Sequence, residues 1–85
     1  MSSLKLPKDL QILRLCTQQH TRYQVMQHFH NHQSTTEAYM NRLLKMELLF
    51  IVKEEPYRTG KTIKWFLITA KGRAVLRGHE EAERR

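Results

Sequence analysis

The spacing of apolar residues changes once along this chain, near Leu48, and this change limits the possible folds. Before Leu48, apolar residues recur at intervals of three and four, as on one face of a helix. After it, residues 49–53 and 63–68 are short runs rich in β-branched and aromatic side chains, which are typical of strands. Because 85 residues make one domain with one core, helices and strands must pack together. The sequence therefore predicts a single α+β domain, mainly α, over residues 1–85.

The first predicted helix has two apolar strips. It begins at Pro7, since proline is tolerated in the opening turn of a helix, and its main apolar face includes Leu10 and Leu13. Ile12 and Leu15 lie off that face and form a second strip. Burial within the chain and contact with a partner chain are the two explanations for this second strip.

Capping boxes predict where the second and third helices begin. Thr21 and Gln24 have the spacing at which a hydroxyl and an amide each satisfy one unpaired backbone N–H. The second helix should end near His30, where the apolar positions stop. Ser34 and Glu37 repeat the same signature at the start of the third helix.

The third helix, predicted over about residues 34–47, has two faces of different chemistry. Its apolar back consists of Tyr39, Met40, Leu43 and Leu44. Its opposite face carries small, amide and cationic side chains, which are Ser34, Ala38, Asn41, Arg42 and Lys45. Acids are missing from this outward face, because Glu37 and Glu47 lie elsewhere around the helix.

The rest of the chain is predicted to form a hairpin and a closing helix. Residues 54–62 contain one proline and one glycine, and they form a loop between the two strands. Thr69 then caps a final helix that ends at about Gly78. We expect residues 1–6 to be an N-terminal arm and residues 79–85 to be a charged tail or the end of the last helix.

The charge of the chain indicates a polyanionic partner. Lys plus Arg is 15 and Asp plus Glu is 8, which gives a net charge of +7 and a pI near 10.0. A domain with so high a pI is typical of nucleic-acid binders. Residues 56–79 contain no acid, whereas residues 54–55 and 80–83 carry acids. The cations of the acid-free stretch are Arg58, Lys61, Lys64, Lys71, Arg73 and Arg77.

Two segments each carry a recognisable sequence motif. The first covers the exit of the third helix, and the second covers the junction between the second strand and the last helix. Residues 39–49 have the sequence YMNRLLKMELL, and residues 66–76 have the sequence FLITAKGRAVL. Both resemble winged-helix transcription regulators of the MarR and PadR type, and the resemblance extends over about residues 7–78. It implies a winged helix with a three-helix helix-turn-helix core, a two-stranded β-hairpin wing and a C-terminal helix. The family usually has glycine where this chain has Glu47, so we expect this helix to end differently and to continue a little further.

The resemblance also implies how the domain would bind double-stranded DNA. The third helix would lie in the major groove, and the basic wing, about residues 56–62, would contact the backbone or the minor groove. By position, the residues expected to contact bases are Ser34, Thr35, Ala38, Asn41 and Arg42. Those expected to contact the DNA backbone are Arg22, Lys45, Arg58, Lys61 and Lys64. Asn41 would pair with adenine and Arg42 with guanine, since these side chains match the two base edges.

A regulator of this kind is expected to act as a homodimer. Two recognition helices would then lie about 34 Å apart on a pseudo-palindromic site. The first helix and the segment from Ala70 onwards are the candidates for the dimer contact, and Trp65 either fills the core or adds to that contact. The alternative function is a protein-interaction module without sequence-specific DNA binding, in which the third helix binds protein.

Other kinds of chemistry are not indicated. His28, His30 and His32 alternate at a helix end and would point in different directions, so no metal site or cofactor is expected, although a pH response stays open. Cys16, the single cysteine, fits a reducing cytoplasm, and its place on an apolar stripe favours inert packing. The longest apolar run is five residues, too short to cross a membrane. We find no catalytic motif and expect no enzymatic activity.

Overall fold

The computed structural model describes residues 7–83, in which helices cover one face of a small antiparallel sheet. The helices are α1 (Lys8–Leu15), α2 (Arg22–Phe29), α3 (Gln33–Lys45) and α4 (Ala70–Glu83). The strands are β1 (His20–Thr21), β2 (Leu49–Pro56) and β3 (Thr62–Ile68), in the order β1-β3-β2 across the sheet. Side chains from every helix and from β2 and β3 make one core, whose buried apolar members are Ile12, Leu13, Cys16, Val25, Met40, Leu43, Leu48, Leu49, Phe66, Ile68 and Leu76.

Helix α1 begins after Pro7, which is its N-cap, and both of its predicted apolar strips contribute buried residues. Ile12 and Leu13 are both fully buried, and Leu15 is half-buried. Helix α1 packs against both α3 and α4, and the two neighbours together cover more of its surface than a single apolar stripe. Within this chain the second apolar strip is therefore largely accounted for by burial.

The capping box of α2 is confirmed. The backbone N–H of Gln24 donates to Thr21 Oγ1, and the backbone N–H of Thr21 donates to Gln24 Oε1, both over 3.1 Å. The helix ends at His30, which adopts the left-handed conformation with φ of 56°. The turn between α2 and α3 is short as a result, and it brings the two helices together in the order expected of a helix-turn-helix.

The capping box predicted for α3 is wrong. The helix begins at Gln33, its N-cap is His32, and that residue makes no side-chain cap hydrogen bond. Ser34 therefore lies already inside the first turn, where its hydroxyl does not cap, and Glu37 reaches Arg22 instead. The burial of Thr36 in the core fixes this register.

The exit of α3 also differs from the expectation that the helix continues. It ends at Lys45, and Glu47 adopts a left-handed conformation with φ of 64°. The N–H of Glu47 donates to the carbonyl of Leu44 over 3.0 Å, and the N–H of Leu48 donates to that of Leu43 over 2.9 Å. This is a Schellman motif, in which the left-handed position is usually a glycine and is Glu47 here.

The hairpin is longer and its loop shorter than predicted. Strand β2 runs to Pro56 and β3 starts at Thr62, so that residues 54–56 and 62 belong to the ladder. A bulge falls at Val52, between the pairs Ile51–Phe66 and Lys53–Trp65. Cross-strand pairing explains the extension, since a strand that has a partner continues through charged residues.

Strand β1 was not predicted at all. It has two residues, His20 and Thr21, which pair with Phe66 and Trp65 of β3. Two residues are too few to show an alternating pattern, so the sequence carries no signal for this strand. Its position matters because it fixes the start of α2 against the centre of the sheet.

Helix α4 begins as predicted, because the hydroxyl of Thr69 accepts from the N–H of Gly72 over 2.9 Å. It continues past Gly78 to Glu83, so residues 79–83 are helical. An ion pair of 2.8 Å between Arg14 and Glu80 joins this extension to α1. Residues 1–6, predicted to be an arm, and residues 84–85 lie outside the described part of the chain.

Candidate nucleic-acid interface

The outward face of α3 consists of solvent-exposed polar, small and cationic side chains. All the residues expected to contact bases are exposed, as is Lys45 one turn further on; they are Ser34, Thr35, Ala38, Asn41 and Arg42. The guanidinium of Arg42 lies 5.6 Å from the centre of the Tyr39 ring. The structure thus brings all five candidates to one accessible surface.

Three buried residues hold α3 in this orientation. Thr36, Met40 and Leu43 are at most 1% exposed and follow one another at intervals of four and three. Because side chains at this spacing share one face of a helix, their burial turns the opposite face to solvent. The orientation of the outward face is therefore a direct consequence of core packing.

Arg22 is placed differently from the other expected backbone contacts. It follows the N-cap of α2 and is half-buried, with its guanidinium 5.8 Å from the centre of the buried Phe66 ring. Its Nη1 lies 3.4 Å from Glu37 Oε2, and its Nε is buried without a hydrogen-bond partner among the described residues. The side chain is thus held between α2, α3 and the sheet.

The tip of the hairpin is a tight cationic turn. Arg58 begins a short 3-10 helix, Arg58–Gly60, and Lys61 follows it in an exposed position. The N–H of Tyr57 donates to the carbonyl of Lys61 over 2.7 Å and closes the turn. Gly60 has φ of 75°, a conformation that other residues rarely adopt.

Acids lie beside the cations along the strands of the hairpin. Glu54 is the cross-strand partner of Lys64, and Lys53 Nζ lies 3.6 Å from Glu55 Oε2. The acid-free stretch of the sequence is therefore not an acid-free surface. Away from the turn, the charge of this hairpin is partly balanced.

The same acids and cations explain how Trp65 is covered. Its Nε1 donates to Glu55 Oε1 over 2.9 Å, and Lys53 Nζ lies 5.0 Å from the centre of its ring. Trp65 is half-buried on the outer side of the sheet, whereas Phe66 and Ile68 are buried in the core. Charged neighbours in the partner strand, and not the core, shield the indole.

An open groove of about 960 Å³ lies between the start of α2 and the hairpin. Its lining brings together three of the expected backbone contacts, Arg22, Lys61 and Lys64, with Gln33 at the start of α3. The groove is wide and open to solvent, so it can take an extended chain. Cations in a groove beside an exposed helix face suit the sugar–phosphate backbone of DNA.

The remaining cations of the acid-free stretch do not line this groove. Lys71, Arg73 and Arg77 belong to α4, which follows the opposite end of β3. The seven residues of β3 span about 23 Å at about 3.3 Å per residue. The cations of residues 56–79 are thus divided between the hairpin and α4.

The histidines and the cysteine do not form a reactive centre in residues 7–83. No group of three or more His, Cys, Asp or Glu side chains among them is arranged to hold a metal ion. Burial raises the pKa of Cys16 to about 12, so the thiol stays protonated and unreactive. Likewise, no helix within the described range is long and apolar enough to span a bilayer.

Comparison with known proteins identifies the fold. No family model and no curated protein matches the chain. The transcriptional regulator BldR from Sulfolobus solfataricus superposes with a TM-score of 0.72 at 23% identity, over 91% of this chain and 54% of that one. A mutant of ZitR from Lactococcus lactis superposes with a TM-score of 0.66 at 20% identity, over 95% of this chain and 55% of that one. The chain thus has the winged-helix fold and spans about half the length of these proteins.

Proposed function

We propose that this winged-helix domain binds double-stranded DNA with sequence preference, as part of a transcription regulator. What supports the proposal most is the outward face of α3, whose exposed residues carry base-matching side chains and no acid. A helix presented in this way fits the major groove, where base edges offer distinct donors and acceptors. BldR, which shares the fold, is a transcriptional regulator.

In the proposed complex the residues of α3 divide into two roles. Asn41 pairs with adenine and Arg42 with guanine, while Ala38 is small enough to approach a thymine methyl group. Ser34 and Thr35 lie in the first turn of the helix, which is the part that faces the bases in helix-turn-helix proteins. Lys45, one turn after Asn41, meets a phosphate.

The wing and the groove supply the contacts that position the domain without selecting a sequence. Arg58 and Lys61 at the turn meet the backbone or the minor groove. Lys64 and Arg22 meet phosphates that pass through the groove between the wing and α2. These contacts would make binding steeply dependent on salt.

The proposed regulator is a homodimer. A two-fold axis would place the two copies of α3 in successive major grooves, about 34 Å apart. Helices α1 and α4 are the proposed contact, and the exposed apolar side chain of Val75 on α4 supports it. Neither helix contributes a residue to the groove beside α3, so such a contact leaves the proposed DNA-binding surface open.

Titration of a mixed-sequence duplex at several salt concentrations tests the proposal. About six phosphate contacts per bound dimer predict a slope of log K against log salt near −5, from about −0.9 per contact. No binding at low salt would refute DNA binding. Capture of a partner protein by the same face, with no dependence on salt, would support the interaction module instead.

A further inference from the structure

Glu37 is the one acidic residue of α3, and its carboxylate has two partners in the groove. Its Oε2 lies 3.4 Å from Arg22 Nη1 and 3.5 Å from Gln33 Nε2. Both distances are at the long end of the hydrogen-bond range. The carboxylate is therefore held on the flank of the outward face by two weak contacts.

The Arg22–Glu37 pair is suited to exchange. The side chains are 36% and 39% exposed, and ion pairs with such exposure contribute little to stability. Arg22 lines the groove with Lys61 and Lys64, and its Nε is buried without a partner among the described residues. A phosphate that enters the groove offers the guanidinium a bidentate partner, which is a stronger interaction than the present one.

Release from Arg22 leaves Glu37 beside the base-contacting residues. It precedes Asn41 by four positions, so the two side chains lie about 6 Å apart along the helix axis. That distance corresponds to one or two base-pair steps of about 3.4 Å. In the major groove a carboxylate accepts a hydrogen bond from the N4 amino group of cytosine, whereas the N6 amino group of adenine lies beside the N7 acceptor, which repels a carboxylate.

We propose that Glu37 is a specificity-determining residue of the DNA-binding surface. When DNA binds, Arg22 passes from Glu37 to a phosphate in the groove, and Glu37 accepts a hydrogen bond from a cytosine one or two base pairs from the adenine that Asn41 contacts. On a wrong sequence the carboxylate has neither partner and repels the backbone, so it lowers non-specific affinity. The inference rests on the proposed function and assigns a role to a residue outside the face described above.

Selection of bound sequences from a random duplex library tests this role. The wild-type protein should enrich cytosine about tenfold at one position near the preferred adenine. Glu37→Gln should replace that cytosine by adenine, since glutamine matches the adenine edge, and Glu37→Ala should lose preference there. Both variants should bind mixed-sequence duplex more tightly than the wild type.

Glu47→Gln is the matched control, because it removes the same charge from the exposed exit of α3. It should keep the wild-type preference. Arg22→Met, which removes the charge, should lower the salt slope by about 0.9 for each protomer and keep the cytosine. Thermal unfolding of each variant verifies that the fold is intact. Glu37→Gln keeps the size of the side chain, so it still tests the role of Glu37 if Glu37→Ala is destabilised.

The outcomes separate this inference from the proposed function. If the wild-type protein binds no duplex, both fail. If it enriches a motif and Glu37→Gln enriches the same motif, DNA binding stands and the role of Glu37 is overturned. A change of preference in Glu47→Gln equal to that in Glu37→Gln would also overturn it, because the effect would then be one of net charge.

Discussion

Helix α3 and the wing differ in how the chain holds them. Helix α3 has three buried side chains, and its exit is fixed by Thr69, whose hydroxyl donates to the carbonyl of Glu47 over 2.7 Å. In the hairpin that carries the wing, none of the described side chains between Val52 and Trp65 is buried. A rigid element can hold side chains to the tolerance that base recognition needs, whereas an exposed hairpin can follow the backbone. The difference in anchoring thus matches the two roles that we propose.

The largest expected effect comes from the junction that anchors α3. In Gly72→Ala the new Cβ would lie 2.4 Å from the carbonyl oxygen of Leu48 and 2.7 Å from Ile68 Cγ1. Because a backbone atom cannot move aside as a side chain can, we expect a loss of about 3 kcal/mol in the free energy of unfolding. Urea denaturation measures it.

Gly78→Ala is the control in the same helix, since nothing lies within 4 Å of its added Cβ. This variant should gain about 0.5–1 kcal/mol from helix propensity. Equal effects of the two substitutions would contradict the close packing of α4 against the exit of α3.

The second prediction separates α3 from the wing on DNA. Arg42→Ala should reduce discrimination at one base pair by about tenfold, because we propose that Arg42, on the outward face of α3, pairs with a guanine. Lys61→Ala should weaken binding to all duplexes alike and reduce the salt slope by about 0.9 for each bound protomer. Competition binding with matched and mismatched duplexes compares them. If both variants lose affinity uniformly, Arg42 does not contact a base.

The helices were largely predictable because they depend on local signals, and the winged-helix arrangement was predicted from the resemblance carried by residues 39–49 and 66–76. The Thr21–Gln24 box and the Thr69 cap each act within three residues, and the apolar period identified the buried side of α3. Strand β1 was not predictable, since its two residues become a strand only by pairing with β3. Long-range pairing likewise explains why the strands predicted for the hairpin are shorter than the observed β2 and β3.

The composition of the outward face could be predicted, but not its surroundings. Periodicity alone put Asn41 and Arg42 on the exposed side of α3. The contact between Arg22 and Glu37 joins residues 15 positions apart, and no local sequence pattern predicts such a contact. The left-handed Glu47 was missed because the usual signal, a glycine, is missing from the sequence.

The third prediction compares the stability effects of substitutions at two residues with positive φ, Glu47 at the exit of α3 and Gly60 in the wing turn. Glu47→Gly should raise the free energy of unfolding by about 1 kcal/mol, since glycine adopts φ of 64° without the cost that a side chain adds. Gly60→Ala should lower it by a similar or smaller amount, because the wing turn has φ of 75° but contributes no buried side chain. Thermal unfolding distinguishes the signs. A loss of stability in Glu47→Gly would contradict the exit geometry of α3.

The smallest expected effect is a gain in the free energy of unfolding from a substitution on the buried side of α3. Thr36 is fully buried, and its hydroxyl has no hydrogen-bond partner within the described part of the chain. Thr36→Val keeps the shape of the side chain and removes the unpaired group, so the free energy of unfolding should rise by up to about 1 kcal/mol. Thr35→Val is the matched control on the exposed side, where the same change should alter stability by less than about 0.5 kcal/mol. A destabilised Thr36→Val would mean that the hydroxyl does have a partner, and the anchoring of α3 would then depend on a polar contact as well as on apolar packing.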